Sequence, residues 1–195
     1  MNDFLKIAHS NQQRAYEIIK ELDIITLWES IDAKVNLIGS LKSGLLMKHK
    51  DIDFHIYTPE LNISNDFKIM ARLAENSSIT EIQYINLIDT EEACIEWHAW
   101  YKDTDGEVWQ IDMIHIRQGS KNDGSFERKT DRINVEATKE QKETILRLKY
   151  ETPDNEKIIG VEYYQAVLRD GIETYADFEE WRKEHRENRI IEDLF

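Results

Sequence analysis

Cysteine is nearly absent: Cys94 is the only one in 195 residues. No disulfide can form within the chain, and a zinc site built on cysteines is excluded. Long apolar runs are missing too. None approaches the roughly 18 residues of a membrane-spanning helix. The opening residues, MNDFLKIAHSNQQRAYEIIK, lack the basic stretch and apolar core of a secretory signal. The expectation is a soluble, cytoplasmic protein that uses no membrane. Basic charge is scarce: 25 Lys and Arg face 39 Asp and Glu, for a net charge of −14. A protein that grips a nucleic-acid duplex usually shows a basic face. The balance therefore disfavours nucleic acid and suits a cationic or neutral partner, although an acidic surface also keeps proteins soluble. Internal repeats and low-complexity tracts are absent as well.

What is present suffices for a core. Hydrophobic residues make up 41% of the chain, which excludes a disordered chain, and the length fits one domain or a core with an extension. Tyr16, Ile18, Ile19, Leu22, Ile25 and Leu27 recur at helical spacing and predict an amphipathic helix over 11–29. KVNLIGS reads as a short buried strand ending at Gly39. The stretch DIDFHIYT, 51–58, alternates: Ile52, Phe54 and Ile56 lie on one face, and Asp51, Asp53, His55 and Tyr57 on the other. Pro59 ends it. A helix over 65–77 and a strand over 79–88 follow. CIEWHAWYKD and EVWQIDMIHI form a hairpin about Asp105-Gly106. Residues 117–132, rich in Gly, Ser and charge, read as a long loop. Beyond Lys139 the pattern is helical, with Gly171 as a C-cap and Thr174 starting the last helix. These elements predict a strand-rich core over 1–120, then a loop and helical C-terminal extension over 121–195.

Asp51 and Asp53 are the first candidates for chemistry. An isolated D-x-D is common on a solvated strand face and says little. Two further features give it weight. A strand ending in Gly39-Ser40, followed by LKSGLL, looks like a strand–turn–helix. There glycine lets backbone approach a ligand closely, and the following N–H groups and the Ser40 hydroxyl suit phosphate oxygens. Gly39 and Gly44 match the outer spacing of a P-loop, but Leu45-Leu46 stand where Lys and Ser or Thr belong, so that motif is excluded. Asp112 lies between Ile111 and Met113, on the parity of Val108, Gln110 and Ile114. A carboxylate in such a run is costly unless paired or bound to metal. A divalent cation offsets the repulsion among three carboxylates, and Mg²⁺ takes one or two of them together with phosphates and waters.

Gly39-Ser40, ten residues, Asp51-Ile52-Asp53, and then Asp112 on a later strand resemble the nucleotidyltransferase superfamily of polymerase-beta-like fold. GSLKSG resembles the GSxxxG form of its small stand-alone members. The resemblance covers roughly residues 10–116. It implies an α+β fold, a mixed sheet flanked by helices with a helical C-terminal region. It also implies that Asp51, Asp53 and Asp112 are catalytic and bind two Mg²⁺ ions, and that Gly39 and Ser40 grip the β- and γ-phosphates of a nucleoside triphosphate. The reaction would transfer a nucleoside monophosphate and release pyrophosphate. A small-molecule acceptor, aminoglycoside-like by analogy, is expected. A protein hydroxyl, a non-catalytic nucleotide-binding or interaction module, and an unrelated metal-dependent hydrolase stand as alternatives. The oligomeric state is left open.

Among nearby cations, Lys42 is the best placed for the triphosphate, ahead of Lys48, Lys50 and Arg72. His55, His98 and His115 show no zinc-ligand spacing. His55 shares the aspartate face, whereas His115 lies opposite Asp112 and reads as core. Trp97, Trp100, Trp109 and Tyr101 crowd the hairpin, and one of them could stack on a base. Tyr163, Tyr164 and Trp181 are candidates for an acceptor pocket, or simply helix core.

Overall fold

The computed structural model describes residues 2–185. Helix α1 (Asp3–Glu21) and the short α2 (Ile24–Glu29) precede strand β1 (Lys34–Ile38), a single-turn helix α3 (Gly39–Ser43) and strand β2 (Asp51–Thr58). Helix α4 (Ile63–Ala74) leads to β3 (Ile79–Asn86), β4 (Cys94–Lys102) and β5 (Val108–Arg117). Helices α5 (Ser125–Glu136), α6 (Lys139–Glu151) and α7 (Gly160–Tyr164) follow. A π turn (Gln165–Arg169) and α8 (Tyr175–His185) complete the described chain.

The five strands form one mixed sheet in the order β1-β2-β5-β4-β3, in which β2 and β5 are parallel and the other neighbours antiparallel. This is an α+β fold with helices flanking the sheet. The strand alternation decides what each face does. Ile52, Phe54 and Ile56 of β2, with Trp97 and Ala99 of β4 and Ile111 and Met113 of β5, are buried against Ile18 of α1 and Leu22 just after it, Trp28 of α2 and Ile69, Met70 and Leu73 of α4. A second cluster gathers Ile145 and Leu148 of α6, Tyr163 and Tyr164 of α7, Ala166 and Phe178, together with Ala8 of α1 and Leu45 and Met47 after α3. Helix α1 thus serves both clusters, and the chain between α3 and β2 is fixed where they meet.

Several elements depart from the sequence expectations. The predicted helix over 11–29 begins at Asp3 and breaks after Leu22, where Asp23 adopts φ 50°, a left-handed conformation that Asp tolerates better than most residues. The break turns Trp28 into the core, with its Nε1 3.4 Å from Met113 Sδ. The helix expected over 65–77 starts at Ile63, because the Asn62 side chain accepts the backbone N–H of Asn65 at 3.1 Å. The expected loop over 117–132 holds helix α5 from Ser125 on. Its attachment to the sheet is mainly polar, so little apolar periodicity marks it. The cap at Thr174 is present, its Oγ1 accepting the Asp177 N–H at 3.2 Å. The last helix was expected to run on beyond His185, and that part lies outside the described residues. Among the described residues no helix is long and apolar enough to cross a membrane.

Candidate active site

The face of the sheet opposite the main core carries the aspartates. Register fixes their grouping. Asp53 of β2 stands opposite Asp112 of β5, and Asp112 stands opposite His98 of β4. The next rung places Asp51 opposite Gln110 and Gln110 opposite Trp100. The parallel pairing of β2 with β5 therefore sets two sequence-distant carboxylates side by side, one strand spacing apart.

Gly39 meets this group from the end of β1, since Ile38 is the β1 partner of Asp53. It has φ +69°, and a Cβ built on it would lie 2.1 Å from Asp53 Oδ2. Only glycine fits both the conformation and the contact. Ser40 is the second residue of α3, and its Oγ is buried with no hydrogen-bond partner among the described residues, an orphan that calls for a ligand. Ser43 Oγ, by contrast, donates to the carbonyls of Gly39 and Ser40 at 3.0 and 3.2 Å and holds the turn.

These residues line a cavity of about 600 Å³, within the usual range of small-molecule sites. Gly39, Ser40, Asp51, Asp53, Gln110 and Asp112 form its floor, and Trp100 and Val108 flank it. The opposite wall comes from the helical region: Lys149 of α6, then Lys157–Val161, Tyr163 and Tyr164. Lys48, His49 and Lys50 border it from the connection before β2. Lys149 Nζ donates to Leu45 O at 2.9 Å and lies 5.2 Å from the centre of the Tyr164 ring.

Burial, reinforced by the charges of Asp51 and Asp112, pushes the Asp53 carboxyl up to about 8. Asp51 is also raised, chiefly by burial, with Lys149 opposing. Carboxylates gathered at such a cost fit a cation site. Among the described residues no three His, Cys, Asp or Glu side chains already form a metal cage. The donors instead suit Mg²⁺, which takes few carboxylates and completes its shell with phosphate oxygens and water. Beside them, the unpartnered Ser40 Oγ and the open backbone at Gly39 have the chemistry to accept phosphate oxygens.

The remaining expected residues lie at the border of the cavity or away from it. Lys42 is exposed and does not line the cavity, and Arg72 sits exposed on α4. Lys48 pairs with Asp154 at 2.7 Å and Lys50 with Glu107 at 2.7 Å. His55 lies beyond Asp53 on the same face and packs under α5, near Glu127 (3.5 Å). Burial, only partly offset by Glu127, lowers its pKa. His115 belongs to the core, bonded to buried Asp66 at 2.8 Å and to Thr58 at 2.7 Å. Trp97 and Trp109 are core as well, whereas Trp100 reaches the cavity. Trp181 stays in the helical cluster.

Sequence reading missed three residues. His98 Nδ1 lies 2.6 Å from Asp112 Oδ1, and Gln110 Nε2 donates to the same oxygen at 2.8 Å. Counting back across the Asp105-Gly106 turn would have placed His98 opposite Asp112. No local signal announces Lys149, which arrives from a helix about a hundred residues downstream of β2.

No family model and no curated protein matches the chain. Solved structures do. The RNA terminal uridylyl transferase Cid1 aligns with a TM-score of 0.55 and 17% identity, covering 85% of this chain and 52% of that one. The Cid1 poly(U) polymerase with MgGTP bound aligns at 0.58 and 16%, over 88% and 57%. The non-canonical poly(A) polymerase complex GLD-2–GLD-3 aligns at 0.56 and 11%, over 86% and 58%. The chain spans about half the length of these structures. It has the nucleotidyltransferase fold. Two partner expectations drawn from the charge balance and from analogy do not stand: a small-molecule acceptor, and nucleic acid as an unlikely partner. The neighbours act on RNA, and GLD-2 is held by protein partners, GLD-3 and RNP-8. Net charge failed as a guide because it averages the whole surface, while Lys48, His49, Lys50, Lys149 and Lys157 collect at the cavity.

Proposed function

We propose that this chain is a Mg²⁺-dependent nucleotidyltransferase that moves a nucleoside monophosphate from a nucleoside triphosphate to a hydroxyl of a macromolecular acceptor, in the first place the 3′ end of an RNA. The observation that carries the reading is the abutment of Gly39 on Asp53. The backbone turn suited to phosphates presses against a carboxylate suited to metal, with no room for a side chain between them. Support for RNA comes from the activities of Cid1 and GLD-2.

In this reading Asp51, Asp53 and Asp112 hold two Mg²⁺ ions, and Gly39, Ser40 and Lys149 receive the triphosphate. When bound, the ions neutralise phosphate charge and make the acceptor hydroxyl more acidic. The acceptor oxygen attacks the α-phosphorus and forms a new P–O bond. The bond to the oxygen bridging α- and β-phosphorus breaks, and pyrophosphate leaves with that electron pair. The hydroxyl proton passes to Asp112 and on to solvent. Little covalent work falls to the protein, whose part is placement and charge.

A hydroxyl on a partner protein is the second reading. It is favoured by Val108 and Ile159, which are 48% and 55% exposed at the cavity rim and give it an apolar lip. Incubation with Mg²⁺, α-labelled nucleotides and a single-stranded RNA tests the first reading. Labelled, lengthened RNA and free pyrophosphate are expected, falling at least about a thousandfold in Asp53→Asn. Transfer that survives Asp53→Asn overturns it, and label found on protein instead of RNA selects the second.

A further inference from the structure

His98 and Gln110 close on the same oxygen of Asp112. His98 Nδ1 lies 2.6 Å from Oδ1 and Gln110 Nε2 2.8 Å from it. Both placements are dictated by the sheet: His98 is the cross-strand partner of Asp112, and Gln110 precedes it by two on the same strand and face. A carboxylate oxygen has two lone-pair directions, and with the His98 proton on Nδ1 two donors at these distances occupy those of Oδ1. On the far side of the ring, His98 Nε2 lies 3.5 Å from Glu96 Oε2, and the ring tilts against Trp100 at 6.4 Å between centres.

We infer that His98 and Gln110 are positioning residues that lock Asp112 so that Oδ2 alone faces the reacting groups. The inference rests on the reading of Asp112 as a metal-holding carboxylate. The clamp has two effects. It stops Asp112 from chelating a cation through both oxygens, which leaves coordination sites for phosphate and acceptor. It also supplies donors to a carboxylate that stands beside Asp53 and is repelled by it. Partners of this kind fix ligand orientation, and their loss costs about 10- to 100-fold in metal affinity or activity.

The test begins with Mn²⁺ binding, which needs no turnover and can be followed by electron paramagnetic resonance. His98→Phe, which keeps the ring and loses the donor, is expected to weaken binding about 10-fold or more. His98→Asn, which restores an amide N–H near the position of Nδ1, is expected to recover most of the affinity. Gln110→Met gives an independent reading of the clamp if His98→Phe does not fold. Nitrogen NMR of wild-type protein is expected to find the His98 proton on Nδ1. Wild-type Mn²⁺ affinity in both His98→Phe and Gln110→Met, or a bare Nδ1, overturns the inference. Equal losses in folded His98→Asn and His98→Phe overturn it too. If wild-type protein binds Mn²⁺ through Asp112 and the clamp variants weaken it, yet no nucleotide is transferred, the transferase reading fails and the positioning role stands. No saturable Mn²⁺ binding by wild type overturns both.

Discussion

At Asp53, burial and two neighbouring carboxylates act in the same direction and lift the carboxyl to about 8 from an ordinary 3.8. Folded protein without metal therefore binds more protons than unfolded protein across that window, and its stability falls as the pH rises from about 4 to 8. Asp53→Asn removes this residue's share of the dependence, and the smaller share of Asp51, also raised by burial, remains. In metal-free thermal or urea melts the variant is expected to match wild type near pH 5 and to exceed it by about 1–3 kcal/mol at pH 8. An equal difference at both pH values contradicts the assignment. Gly39 gives a second prediction at this scale. Gly39→Ala drives a methyl group into Asp53 at a left-handed φ, so nucleotide transfer is expected to fall about 100-fold or more even where the fold survives. The residues in this corner were legible in sequence because Gly39-Ser40 and Asp51-x-Asp53 are local patterns. His98 was weighed only as a zinc ligand and Gln110 not at all, since their contact with Asp112 depends on hydrogen bonds across and along a sheet rather than on spacing.

Among elements, α5 shows why part of the fold stayed hidden. Its anchor is Glu127, which accepts from Tyr57 Oη at 2.8 Å and from Asn36 Nδ2 at 3.0 Å. Burial works against the charge of Glu127, but these two donors, a backbone N–H and His55 together outweigh it, so its pKa is lowered. The apolar contacts of α5 come from Ile133, buried in the helical cluster, and Phe126, edge-on to His55 at 5.1 Å, while the rest of the segment is polar and loop-like, and the expectation of a loop over 117–132 followed from that. Glu127→Ala is expected to cost about 2–3 kcal/mol, because it leaves Tyr57 and Asn36 without their partner in a half-buried site. Faster limited proteolysis between residues 118 and 136 is expected with it. Where apolar alternation was clean, as in β2, β4 and β5, element and facing were both readable. The break at Asp23 was not, because the apolar pattern continues through it and only the local conformation of one residue turns the chain.

At the scale of the molecule, the cavity belongs to both halves. The sheet supplies carboxylates, and the helical region supplies Lys149 and the aromatic wall. Nearness to the motif along the chain and nearness to the cavity are therefore different things. Lys42 is near the motif along the chain but exposed, whereas Lys149 is far along the chain yet exerts its charge on Asp51 and Asp53. Lys149→Ala is expected to raise the KM for nucleoside triphosphate about 10-fold or more, with a smaller change in kcat, since it would meet phosphates present before and after transfer. Steady-state kinetics at fixed acceptor checks this. Net charge misled for the same reason of scale: −14 is a property of the whole surface, and the cavity has its own balance.

The central claim is that Asp51, Asp53 and Asp112 form one metal site beside a phosphate-binding turn. Anomalous diffraction from crystals grown with Mn²⁺ and a non-hydrolysable nucleoside triphosphate tests it most directly. Mn²⁺ is expected at the Asp51–Asp53 pair, with Asp112 Oδ2 in its reach and the triphosphate on Gly39 and Ser40. Mn²⁺ bound away from these carboxylates, or a triphosphate seated elsewhere than the Gly39-Ser40 turn, would contradict it.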